Sequence, residues 1–206
     1  MIRRFGALLL VALLFLPGCK EEKARAELSP EEKELLRTKA DEKIGIVIEG
    51  NLPALFAGLV VFDSDGFLSQ SGMLDRANIS VLNMFGNTAI LLLNSPHILP
   101  LLKERSVKKV YYLCGQRALV RLDPSFEMEV MRRFGEGKED EPVSFSIRFR
   151  DAPVDKDALL VEAAGFTVGS HIGNVWVIAG PLVQLPRLLE SDRITLYENA
   201  SNAGTR

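Results

Sequence analysis

The chain has 206 residues, 47% of them hydrophobic and 25% charged, with a formal net charge of −2. That near balance offers no basic footprint for a nucleic acid backbone. Two cysteines exclude a disulfide-stapled scaffold, so the fold rests on a packed core, which a chain of this length can bury.

Met1-Ile2-Arg3-Arg4 forms a basic patch ahead of an apolar run of 12 residues, Phe5 to Leu16. At about 1.5 Å per residue such a run is too short to cross a bilayer core of ~30 Å. A basic flank followed by a short apolar stretch is instead the layout of a secretory signal. The run ends in Leu16-Pro17-Gly18-Cys19, which resembles the lipobox of bacterial lipoproteins. The resemblance implies a signal peptide over residues 1–18, acylation of Cys19, and a lipid bilayer as partner, since two or more acyl chains hold a protein stably. Lys20 stands where enteric lipoproteins kept at the inner membrane carry Asp. The expected location is therefore the cell envelope, on the periplasmic face of the outer membrane. Loss of residues 1–18 removes Arg3 and Arg4 and takes the charge from −2 to −4.

Residues 19–43 read as a polar tether and a charged helix. Ser29-Pro30-Glu31-Glu32 combines an N-cap serine, a proline at the first helical position and a glutamate that closes a capping box. The stretch Ile44–Leu55 is apolar but broken by Gly50, Asn51 and Pro53, and has no clear type.

An internal repeat follows. Gly86-Asn87 recurs 87 residues later as Gly173-Asn174, and the same ungapped frame aligns Phe62 with Phe149, Ala77 with Ala164 and Val81 with Val168. It also aligns Leu101-Leu102 with Leu188-Leu189 and Val107 with Ile194. Each copy reads β-α-β-β-α-β, and together they predict an α+β fold. In the first, residues 57–115, strands are expected at Gly58–Asp63, Ile79–Asn83, Thr88–Leu93 and Val107–Leu113, with helices at Leu68–Ala77 and Ile98–Arg105. Residues 116–143 connect the copies, with a helix Pro124–Phe134 and a charged, glycine-bearing linker. In the second copy, residues 144–198, Ser144–Arg150 alternates apolar and polar as a half-buried strand should. A helix Asp155–Ala164, strands Phe166–Ser170 and Val175–Ala179, a helix Val183–Glu190 and a strand Arg193–Tyr197 complete it. Gly173 at the first turn position suits the positive φ of a type II′ hairpin. Residues 199–206 are a tail.

Ala163–Gly180 (A-A-G-F-T-V-G-S-H-I-G-N-V-W-V-I-A-G) and Leu185–Glu198 resemble the propeptide, or inhibitor, domain of subtilisin-type proteases. That resemblance implies two tandem ferredoxin-like (split βαβ) modules after the N-terminal helix. It also implies one possible role, inhibitor or chaperone of a subtilisin-type protease, with Tyr197–Arg206 lying in the protease cleft.

Catalytic chemistry finds little support. His171 neighbours Ser170 in a strand, so the two point to opposite faces and form no nucleophile–base pair. There is no G-x-S-x-G motif and no glycine-rich phosphate loop. His97, His171 and Cys114 are too scattered for a metal site. Asp63-Ser64-Asp65-Gly66 opens like a calcium loop, but Phe67 and Leu74 occupy positions that need oxygen ligands. Cys114 reads as a buried thiol. No enzyme and no cofactor is expected. The candidate partner-binding residues are Arg148 and Arg150 on strand one of the second copy, Trp176 and Tyr197, with a free sheet face as the surface and another envelope protein as the partner.

Overall fold

A computed structural model describes residues 27–50, 55–63 and 72–200. Helix α1 (Pro30–Lys39) starts at Ser29, whose Oγ accepts the Glu32 N–H while Glu32 accepts the Ser29 N–H, the predicted capping box. The helix does not run on to Lys43. Ala40 is extended and forms a parallel bridge with Val110, and Asp41 caps a second helix, α2 (Glu42–Glu49). Ile44–Glu49 of the stretch that resisted typing belong to this helix, with Ile44 and Val47 as its buried face, while residues 51–54 lie outside the described residues.

Strands β1 (Phe56–Phe62), β2 (Ser80–Phe85), β3 (Thr88–Leu93) and β4 (Val107–Gly115) form an antiparallel sheet in the order β2-β3-β1-β4. Helical residues 72–76 precede β2, and α3 (Ser95–Lys103) joins β3 to β4. The short α4 (Gln116–Leu119) and the long α5 (Pro124–Glu136) lead to the second sheet. That sheet holds β5 (Pro142–Phe149), β6 (Thr167–Ile172), β7 (Val175–Pro181) and β8 (Ile194–Asn199) in the order β6-β7-β5-β8. Its helices are α6 (Asp155–Ala163) and α7 (Leu185–Leu189), the latter preceded by a 3-10 turn, Leu182–Gln184. The chain is thus α+β, with two four-stranded antiparallel sheets.

The period of 87 seen in sequence recurs in the hydrogen bonds. Asn87 Nδ2 donates to Phe62 O (3.2 Å) as Asn174 Nδ2 donates to Phe149 O (2.8 Å). The Asp63 N–H donates to Ser106 O and the Arg150 N–H to Arg193 O, both at 2.8 Å. Both hairpins turn on a glycine of positive φ, Gly86 (+57°) and Gly173 (+59°), while the asparagine after each does not share it. This is the sign pattern of a type II′ turn. The edge-strand bulges also correspond, between Val81 and Asn83 and between Val168 and Ser170.

The structure extends the repeat upstream of what the residues suggested. Val110 and Tyr197 are equivalent positions, and each takes a parallel bridge from the chain that precedes its module: Ala40 on Val110, Leu122 on Tyr197. The next residue in each case, Asp41 or Asp123, donates its N–H to that same strand and caps a helix with its side chain. Helix α5 is therefore the counterpart of α2 rather than a mere connector.

Two hydrophobic cores result. The first joins α1, α2, Leu74 and α3 to one face of the first sheet, through Val60, Phe62, Leu91 and Val110. The second lies between the sheets. It takes Ala57, Leu59, Val61, Ile90, Tyr111 and Leu113 from the opposite face of the first sheet. Against them stand Phe126, Val130, Met131 and Phe134 of α5, the helices α6 and α7, and Phe145, Ile147 and Phe149 of β5. β1 is consequently buried at every residue. Residues 135–142 are not a free linker: Gly137 ends α5 in the left-handed region, Tyr111 Oη donates to Glu139 Oε1 (2.6 Å), and β5 begins at Pro142.

Candidate partner-binding surfaces

The sequence places five residues at possible sites, and the fold separates them. Cys19 lies outside the described residues, as do residues 201–206 of the tail. Trp176 and Tyr197 belong to the inter-sheet core. Trp176 is 8% exposed, with its ring packed edge-on against Phe149 at 5.0 Å. Tyr197 is fully buried, and its hydroxyl donates to Leu188 O (2.8 Å). Neither side chain is offered to a partner, which corrects the expectation for both. Strand alternation correctly set Trp176 opposite Val175 and Val177, but not which of the two faces would be covered. β8 runs to Asn199, so Tyr197 and Glu198 are strand residues rather than part of a tail.

Arg148 is on the sheet face directed away from the core. Register puts Ser144 opposite Ala179, Ser146 opposite Val177 and Arg148 opposite Val175, while Ser146 and Arg148 oppose Glu198 and Leu196 on the other side. Opposed residues share a face, so these form one surface. Ser144 is exposed, Val175, Val177, Ala179 and Leu196 are half-buried, Ser146 and Glu198 are buried at its centre, and the Arg148 guanidinium stands 3.6 Å from the Glu198 carboxylate. Ile172, at the margin, is 87% exposed. This is a mixed surface, polar along β5 and aliphatic along β7.

Arg150 follows the bulge between Arg148 and Phe149 and points elsewhere. It lines an open groove of about 760 Å³ between the two modules, with Tyr112, Arg121, Glu190 and Asp192. The groove is held by its own contacts. Arg121 donates to Leu189 O, Ser191 O and Ile194 O, closing the carbonyl end of α7, where a cation is favoured. Lys43 Nζ meets Glu190 Oε1 at 2.5 Å and sits 5.1 Å from the Tyr112 ring centroid, tying α2 to the end of α7.

No catalytic constellation emerges among the described residues. Cys114 is buried, and desolvation pushes its thiol up to about 12, which keeps it protonated and unreactive. His97 is a helix-cap residue whose Nδ1 accepts the Asn94 N–H, and burial lowers its pKa. His171 tilts against Trp176 at 5.8 Å. No group of three or more His, Cys, Asp or Glu able to hold a metal occurs among the described residues, and Ser64–Gly66 of the calcium-loop candidate lie outside them. No helix among the described residues is long and apolar enough to cross a membrane.

One surface escaped the sequence reading. β2 is exposed, and Val81, Leu82, Met84 and Phe85 are each 40–43% accessible. The signal was present as an uncharged run from Ile79 to Pro96, but an apolar strand in sequence reads as core until the sheet order makes it an edge. No protein family, curated protein or solved structure matches this chain.

Proposed function

We propose that the chain is a bacterial lipoprotein, processed before Cys19 and acylated there, whose body of two ferredoxin-like modules binds another envelope protein without catalysis. The Arg3-Arg4 patch, the short apolar run and Leu16-Pro17-Gly18-Cys19 support the anchor. The β-α-β-β-α-β order and the all-antiparallel arrangement β2-β3-β1-β4, repeated as β6-β7-β5-β8, support the module type. The observation that carries the binding reading is the outer face of the second sheet, where Ser144, Arg148, Val175, Val177 and Ala179 stand outside both hydrophobic cores. Sheet faces of this kind take protein partners through aliphatic contact with a polar rim.

The test has two parts. Radiolabelled palmitate fed to the native host is expected to label the wild-type chain and not Cys19→Ser; labelling of both sinks the anchor. Photo-crosslinking from position 144 in intact cells is then expected to trap one envelope protein, and Arg148→Glu to abolish that adduct. No discrete adduct from this face, with the fold intact by circular dichroism, sinks the binding reading.

A further inference from the structure

Three of the four outer edges of the two sheets are closed or polar. β4 takes the bridge from Ala40, and β8 takes the bridge from Leu122. β6 reads Thr-Val-Gly-Ser-His-Ile and carries the polar Thr167, Ser170 and His171 along half of its length. The fourth edge, β2, reads Ser-Val-Leu-Asn-Met-Phe, and its four apolar side chains are all exposed. Proteins ordinarily blunt such an edge with lysine, an inward-pointing charge or proline. No charged residue and no proline occurs from Ile79 to Asn94, and the bulge at Leu82 is the single such device.

We infer that β2 is a self-association edge, on which the β2 strand of a second copy pairs antiparallel and joins two four-stranded sheets into one. A two-fold contact sets a strand against itself, so each residue meets its own copy or a near neighbour. Any charge on such a strand would face a like charge, which destabilises cross-strand pairs. The uncharged β2 meets that condition. A partner selected by opposite charge finds none on β2 itself to read; the Glu127 carboxylate of α5 reaches the strand through Asn83, whose Nδ2 donates to it at 2.7 Å. Pairing covers Val81, Leu82, Met84 and Phe85 with the same residues of the second copy, and supplies main-chain partners along the edge. The Met84 N–H, which donates to the Asn83 side-chain carbonyl at 2.8 Å, is one group an incoming strand can take over. The pairing uses none of the residues on the outer face of the second sheet, so it is independent of the envelope partner proposed above.

Sedimentation velocity of the full chain in detergent, over a concentration series, tests the inference. A concentration-dependent dimer is expected, and Leu82→Lys and Met84→Lys should each weaken it at least about tenfold. Ile172→Lys, on the equivalent edge of the second module, should leave it unchanged. Hydrogen exchange on the wild type gives a second readout: amides of residues 81–85 should become more protected as concentration rises. A monomer at every concentration, a dimer that both β2 lysines leave intact, or protection confined to β6 overturns the inference. If the lysine variants misfold, the wild-type exchange pattern alone decides it.

Discussion

The outer face of the first sheet and the outer face of the second are the same surface of one repeated unit, and they carry opposite chemistry. On the first sheet Ala57, Leu59, Val61, Ile90 and Tyr111 lie in the inter-sheet core. Eighty-seven residues later the equivalents are Ser144, Ser146, Arg148, Val177 and Glu198. The backbone is conserved between them to the level of single hydrogen bonds and bulges. What differs is what packs against each. α5 and the helices of the second module cover the first sheet, whereas on the second sheet β5 turns Ser144, Ser146 and Arg148 to this face. The comparison teaches that one fold accommodates both faces because β-strand alternation lets one side change while the other keeps its packing.

The largest test of that comparison is to give the first sheet the second's residue. Leu59→Ser, copying Ser146, leaves a cavity and a hydroxyl in a fully buried site, and should cost about 3–5 kcal/mol by urea denaturation. Next comes a contact that belongs to the second module alone. The Asp157 carboxylate receives two hydrogen bonds from Arg193, at 2.9 and 2.8 Å, and a third from the Val154 N–H. The corresponding positions in the first module are Gln70 and Ser106. Asp157→Asn should cost on the order of 1–2 kcal/mol at neutral pH through the lost cap and ion pair. The Arg193 hydrogen bonds hold the Asp157 carboxyl below its ordinary range. Its contribution is therefore complete above the unfolded value of about 4 and fades as pH falls through the lower folded one. Wild type and Asp157→Asn should accordingly converge in stability on acidification, as thermal melts across pH will read.

The hairpins sharpen the likeness between modules instead of the difference. Gly86→Ala and Gly173→Ala meet no neighbouring atom within 4 Å, yet both force an alanine to positive φ. Each should cost about 1 kcal/mol, and equal losses in calorimetry would mark the two turns as one device. The smallest effect is expected at the outer face of the second sheet. Ser144→Leu, which moves that exposed position toward its buried counterpart, should change stability by no more than about 0.5 kcal/mol. A larger loss would mean that the face is packed like the first.

Much of this was legible in the residues. Thr88–Leu93 was bounded from sequence as the structure has it, and Ser29 and Gly173 do the capping and turning their types imply. The break at Ala40 was not legible, because it depends on a bridge to Val110, seventy residues away. α4 was missed for a related reason: four residues carry no period. Of the site candidates, Arg148 reached a surface, while Arg150 was diverted into the groove by a bulge that alternation alone does not announce.

By itself the sequence determined the period of the repeat, the place of its strands among the described residues and the sign of its turns. These are local properties, set by side-chain spacing, capping and backbone φ within a few residues. Only the tertiary structure decided which side of each sheet is core, that Trp176 and Tyr197 lie inside, that α5 belongs to the repeat, and that β2 ends as an apolar edge. Burial is a property of what packs against a residue. The neighbours of β1, β2 and β7 come from segments far away along the chain, so no reading of alternation within one strand could choose between its two faces.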